Sequence, residues 1–259
     1  MIEIVAPPCF TTAVRDDVSL QPGRGAPARR HVSTAPEARH AAVPTTAVPT
    51  NGVLTVRHGI TTWNATSRWQ GWADISLSPH GRGQAETAAD ALVSLLRGSE
   101  DRVTFVSSDL LRARETAEIM AGTFGAVVRE ELPDLRERNI GDWSGRTTDE
   151  IEAAWPGMLE QWRRGDLAAT PSGEAEQALH TRITRALRVL CDEAAASDIL
   201  IVAVTHGGVI RTLERAYGVE PVPVANLSGR WFRLDEDAIV AGASVDLLGH
   251  HRAGEGTSL

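Results

Sequence analysis

Not one of the 259 residues is lysine; all 26 basic side chains are Arg. A Schiff-base lysine and the lysine of a phosphate-cradling P-loop are therefore excluded. Cysteine is nearly absent as well, with only Cys9 and Cys191. Neither a disulfide framework nor a Cys-rich zinc site can form, and a reducing, cytoplasmic setting is expected. Positive charge is in deficit: 34 acids leave a net charge of -8, against the basic face that a nucleic-acid backbone calls for. Long apolar runs are missing too. The longest uncharged run of strong hydrophobicity, Ile199–Ile210, has 12 residues, where a bilayer span needs roughly 20. No nucleic acid, membrane or metal ion is expected as a partner. What is present, 42% hydrophobic and 23% charged residues, is ordinary for a globular chain of one or two domains with a sizeable core.

The charge and proline content divide the chain. Residues 1–52 hold 7 of the 13 prolines, and 5 Arg against the acids Glu3, Asp16, Asp17 and Glu37. The remainder carries 21 Arg against 30 acids. Stretches such as Gln21–Pro27 bury too little apolar surface to order themselves, so residues 1–52 are read as a disordered extension. A secretory signal fits badly, because Glu3 replaces a basic start and Pro7-Pro8 interrupts the apolar run; the Arg and Ser/Thr content leaves a transit peptide as the alternative. Residues 53–248 form the folded domain on this reading, and 249–259 a flexible tail.

From Val53 the pattern is regular. Val53–Val56 is a short apolar strand ending at Arg57-His58-Gly59. A helix follows over 79–97, with Ala88, Leu92, Leu95 and Leu96 on one face and Gly98 as its stop. Val103–Val106 is a second strand, ended by Ser107-Ser108-Asp109, which suits the cap of a helix running to about Gly122. Ala126–Arg129 is read as a third strand. A long helix spans about Glu174 to Ala196, with Ala178, Ile183, Leu187 and Leu190 inward. Ile199–Val204 is a strand covered on both faces, broken at Thr205-His206-Gly207-Gly208 and followed by a helix to about Tyr217. Residues 229–247 supply two late strands at an antiparallel edge. Alternating strand and helix means an α/β fold of three layers, a mainly parallel sheet flanked by helices on both faces.

One arrangement recurs three times: a buried strand stops and presents a polar cluster. The clusters are Arg57-His58-Gly59, Ser107-Ser108-Asp109 with Arg112, and Thr205-His206-Gly207-Gly208. Ligands of open α/β sheets bind at the carboxyl ends of strands, so the three can share one crevice. Two His and two Arg there make a cationic pocket, and glycines with helix N-termini let an anion approach the backbone. A phosphoryl group, with three oxygens to satisfy, fits better than a carboxylate. Each piece alone has a plain reading: a hydrogen-bonded structural His, a solvated Arg112, a surface Glu137. Trp63, Trp69, Trp72 and Trp143 read first as packing or pocket wall.

The joint placement resembles the histidine phosphatase superfamily, also called the phosphoglycerate-mutase-like fold. The resemblance runs through Val56–Asn64, Gly71–Ser78 with Gly81, Gln84 and Ala85, Ser107–Ala117, Leu135-Arg136-Glu137 with Gly141–Gly145, Pro171–Glu174, and Thr205–Gly208. These six motifs stand in the family's order over about residues 53–234. It implies that His58 is the nucleophile, forming a phosphohistidine, and that Arg57, Arg112 and His206 clamp the phosphoryl oxygens. It implies that Asn64, Thr61 and Gly207 line the substrate loop. Glu137 would protonate the leaving oxygen and then deprotonate water, which asks for a raised pKa. No cofactor is implied, and a homodimer is admitted.

The family holds phosphatases and cofactor-dependent phosphoglycerate mutases. Glu137 and His206 are 69 positions apart, a shorter stretch than the mutases lead one to expect, and Arg136–Gly145 resembles the phosphatase form. The expected activity is a metal-independent phosphomonoesterase for a small phosphorylated metabolite. The alternatives are a mutase and an inactive phosphate-binding module. Residues 138–182 should cover the pocket with Arg138, Arg146, Arg163, Arg164, Arg182, Trp155 and Trp162. Most of these arginines read as solvated charge, a subset as recognition of a second anionic group.

Overall fold

The computed structural model describes residues 48–249. Of the disordered extension expected over residues 1–52 and the tail expected over 249–259, residues 1–47 and 250–259 lie outside the described residues. Val48 already packs against the core, and Gly52 opens the first strand.

Six strands form one sheet: β1 Gly52–Arg57, β2 Val103–Ser107, β3 Val128–Glu131, β4 Leu200–Thr205, β5 Ser228–Asp235 and β6 Ala238–Asp246, in the order β3-β2-β4-β1-β5-β6. The first four are parallel, while β5 and β6 add an antiparallel edge beside β1. Helices α2 (Pro79–Leu95) and α3 (Leu111–Thr123) cover one face, packing on Leu54, Val56, Phe105, Val202 and Val204. Helices α6 (Glu176–Ser197) and α7 (Gly207–Ala216) cover the other, packing on Val53, Val106, Ile201 and Ala203. Alternate strand residues thus feed opposite cores, as the strand period of two requires. The three-layer architecture expected from the pattern is the one observed.

Three expectations are corrected. Leu95 is 38% exposed, because the buried stripe of α2 is Ala85, Ala88, Ala89, Leu92 and Leu96. Leu95 falls roughly 80° from the centre of that stripe at 3.6 residues per turn. Ala178 is exposed at the start of α6, on the side away from the buried Leu179, Ile183 and Leu187. The third strand is Val128–Glu131 and not Ala126–Arg129; it is an edge strand whose exposed charges disguise it.

Short helices α1 (Thr62–Ala65), α4 (Thr148–Ala154) and α5 (Met158–Arg164) belong to the loops above the strand ends. A small separate core holds the roof together. Ile140, Trp143, Ile151 and Leu159 are buried there against Trp69, Trp155 and Trp162. The rings of Trp69, Trp143 and Trp162 meet edge to face with centroids 5.3–6.0 Å apart, the arrangement their quadrupoles prefer. Trp69 and Trp143 are therefore packing residues, as expected.

The register aligns the site. Arg57 lies opposite Thr205, and Ser107 opposite Val204. The ladder continues one residue further through His58 N–H to the Thr205 carbonyl at 3.0 Å and Ser108 N–H to the Val204 carbonyl at 2.8 Å. Three strands thus end side by side.

Candidate active site

Because the strands end in register, His58, Ser108 and His206 emerge together. The His58 and His206 rings stand with centroids 5.2 Å apart at 61°, both almost fully buried. His58 Nδ1 lies 2.7 Å from its neighbour's carbonyl, Gly59 O, and Arg112 Nε donates to His58 Nε2 at 3.2 Å. A carbonyl accepts only and a guanidinium donates only, so both contacts select one tautomer: proton on Nδ1, lone pair on Nε2. Asn226 Nδ2 holds the His58 carbonyl at 2.7 Å.

Arg112 is 1% exposed. Its remaining nitrogens donate to the carbonyls of Ala73 and Gly71, both at 2.8 Å. Arg57 is anchored by Nη1 to the Val224 carbonyl at 2.6 Å. Burial pushes each guanidinium down to about 10, opposed by the charge of Glu137, so both stay cationic at neutral pH. Burial, then the charges of Arg112 and Arg57, hold His58 well below its ordinary 6.5. Burial and the charge of Arg112 do the same to His206.

His206 Nε2 lies 2.9 Å from Ser108 Oγ, while its Nδ1 is buried with no partner among the described residues. A buried ring nitrogen left this way is a place for a ligand atom. Glu137 accepts at Oε1 from Arg138 N–H at 2.9 Å and at Oε2 from Gly208 N–H at 3.0 Å. A Cβ at Gly208 would push the Glu137 carboxylate aside, so glycine here leaves that group in its place.

Thr61 and Asn64 sit in the loop after His58, where they close a capping box on α1. Asn64 Oδ1 accepts from Thr61 N and Oγ1, both at 3.0 Å, which leaves the Asn64 amide nitrogen for other use. The loop is pressed onto α2 at Gly81, where a side chain would collide with the Ile60 carbonyl. Gly207 opens α7 beside Arg57. All eight residues singled out in the sequence thus fall at or next to the strand ends. Of the five proposed catalytic side chains, Arg112 and His206 lie against His58, Glu137 joins α7 through Gly208, and Arg57 lies beside Gly207.

The supports of this cluster were not legible in the sequence. Arg182, 13% exposed at its side chain, donates to the carbonyls of Asp134, Arg136 and Glu137 at 2.7–2.8 Å and pairs with Glu174. It pins the segment that carries Glu137. Trp72 Nε1 donates to the Glu137 carbonyl at 2.6 Å, and Arg136 lies over the Trp72 ring. Arg138 is buried and bound to the carbonyls of Glu174 and Ala168. Of the five roof arginines, Arg138 and Arg182 are therefore structural, and Arg146, Arg163 and Arg164 are exposed.

The depressed imidazoles have a consequence for stability. Below about pH 6.5 the unfolded chain binds protons that buried His58 and His206 refuse. Stability is fully present above that pH and falls as the pH falls, by up to ~1.4 kcal/mol per pH unit for each imidazole. Melting temperatures between about pH 8 and pH 5 should be flat at the top and decline below about 6.5. His206→Gln should make the decline shallower; an unchanged slope would assign it to other groups.

The family model for the histidine phosphatase superfamily (branch 1) matches residues 53–230. Phosphoglycerate mutase-like protein 4 of Arabidopsis thaliana is 39% identical over 168 residues, covering 63% of this chain and 70% of that protein. The metal-independent phosphoserine phosphatase of the same plant is 35% identical over 164 residues, covering 62% and 66%. Among solved structures, the VO3 complex of mycobacterial glucosyl-3-phosphoglycerate phosphatase aligns with a TM-score of 0.62 at 32% identity, covering 74% of this chain and 96% of that one.

Proposed function

The chain belongs to branch 1 of the histidine phosphatase superfamily, and from that premise we propose that it hydrolyses small phosphomonoesters through a phosphohistidine on His58. Nε2 of His58 attacks phosphorus in line as the ester P–O bond breaks, and Glu137, as the carboxylic acid, gives its proton to the leaving oxygen. Water then attacks the phosphoryl group, Glu137 takes its proton, and the P–N bond breaks to release phosphate. Arg57, Arg112 and His206 bind the phosphoryl oxygens and stabilise the charge that builds up in both transition states. Asn64, Thr61 and Gly207 shape the loop and helix start against which those oxygens rest.

One observation carries this reading: the hydrogen bond to Gly59 O and the contact from Arg112 leave His58 Nε2 unprotonated near the cationic Arg112 and Arg57. A neutral imidazole is what a nucleophile must be. The relatives called phosphatases support hydrolysis as the outcome. No helix among the described residues is long and apolar enough to cross a membrane, and a cytoplasmic setting is part of the proposal. All charge stabilisation in this scheme comes from side chains. A panel of phosphomonoesters should therefore be hydrolysed equally well with and without a metal chelator. Loss of activity in chelator, restored by a divalent ion, would contradict it.

A further inference from the structure

Beyond the catalytic cluster, three more guanidinia share one cleft. Arg163 from α5, and Arg211 and Arg215 from α7, line a cleft of about 800 Å³ together with Trp69 and the segment Gly218–Pro223. Neighbouring arginines such as Arg164, Arg182 and Arg230 are held in ion pairs. Arg163, Arg211 and Arg215 make neither an ion pair nor a side-chain hydrogen bond among the described residues. One carboxylate, Glu220, shares the wall, so the cleft is left with an excess of two positive charges. In a chain of net charge -8, such a local excess is held against mutual repulsion unless an anion enters.

The cleft adjoins the catalytic end. A Cβ built on Gly207 would lie 3.4 Å from Arg57 Cδ and 3.6 Å from Arg211 Nη1, so Arg211 stands beside Arg57. Arg215 follows one helical turn on, roughly 5–6 Å along the same face of α7. Trp69, Pro221 and Val222 supply an apolar wall on which the body of a ligand can lie.

We propose that this cleft binds a second anionic group, a carboxylate or a phosphate, carried on the body of the phosphomonoester several ångströms from the phosphoryl group that His58 attacks. The inference rests on the phosphomonoesterase reading. It keeps Arg163 from the roof arginines considered in the sequence and adds Arg211 and Arg215, which were not among them. Arg138 and Arg182 drop out because backbone carbonyls already occupy them.

The test is titration calorimetry on the full chain carrying His58→Ala, so that binding is read without turnover. The probes are 6-phosphogluconate and glucitol 6-phosphate, the same six-carbon chain with phosphate at one end and either a carboxylate or a hydroxymethyl group at the other. The carboxylate is expected to tighten binding about tenfold or more. Adding Arg163→Gln and Arg215→Gln together should reduce that preference to within about twofold. Equal affinity for the two probes, binding of neither, or a preference that survives the double replacement overturns the proposal. A carboxylate preference in a protein that forms no phosphohistidine would keep the cleft and remove the hydrolase reading.

Discussion

His58→Ala is expected to lower kcat/KM for p-nitrophenyl phosphate by about four orders of magnitude or more, the scale on which enzymes lose a covalent nucleophile. Nothing else in the cluster can replace it. His206 stands 5.2 Å away, but its Nε2 faces the Ser108 hydroxyl, which can donate or accept and so fixes no nucleophilic tautomer as Gly59 O and Arg112 do for His58. Arg57 and Arg112, although pushed down to about 10, remain protonated at neutral pH. The fold should survive, because the backbone of His58 is held through Thr205 and Asn226 and these bonds do not involve its ring. Phosphate binding should weaken far less than turnover. A variant that keeps more than about a hundredth of the parent rate would rule out His58 as the nucleophile.

Glu137→Gln should separate substrates by their leaving groups. An alkyl phosphate leaves as an alkoxide unless it is protonated, so its hydrolysis should slow by about 10²–10⁴, the usual contribution of a positioned acid. Nitrophenolate leaves without help, so dephosphorylation of the enzyme alone would feel the change and the loss should be smaller. The amide is nearly isosteric, but Oε1 accepts from Arg138 N–H and Oε2 from Gly208 N–H, so its single oxygen keeps one of these bonds and its NH2 group meets the other N–H. Equal losses on both substrates would take Glu137 out of the role of general acid.

The parts of the molecule that were legible in the sequence share a physical cause. Strands β1 and β4 are buried over nearly every residue and therefore read as continuous apolar runs; each stops at a polar cluster, and the parallel register makes those stops coincide. The edge strand β3, Val-Arg-Glu-Glu, has no such run and was placed two residues early. Helices α1, α4 and α5 have four to seven residues each, too few for a period to show. The residues proposed to react could be named from the sequence, but their holders could not. Asn226, Val224 and Arg182 reach His58, Arg57 and Glu137 across 168, 167 and 45 positions of chain. In each of these bonds one partner is a backbone carbonyl, which has no side-chain signature. Arg211 and Arg215 escaped notice for a related reason: on a helix they read as solvated charge, and only the fold shows that they share a cleft with Arg163.

The measurement closest to the central claim is rapid-quench labelling of the full chain with a ³²P-phosphomonoester, followed by acid and base treatment of the trapped protein. Nucleophilic attack by His58 Nε2 requires a label that forms within one turnover, is lost in acid, survives base, and is absent from His58→Ala. A parent enzyme that turns over its substrate with no such label, or a label that persists in His58→Ala, would contradict it.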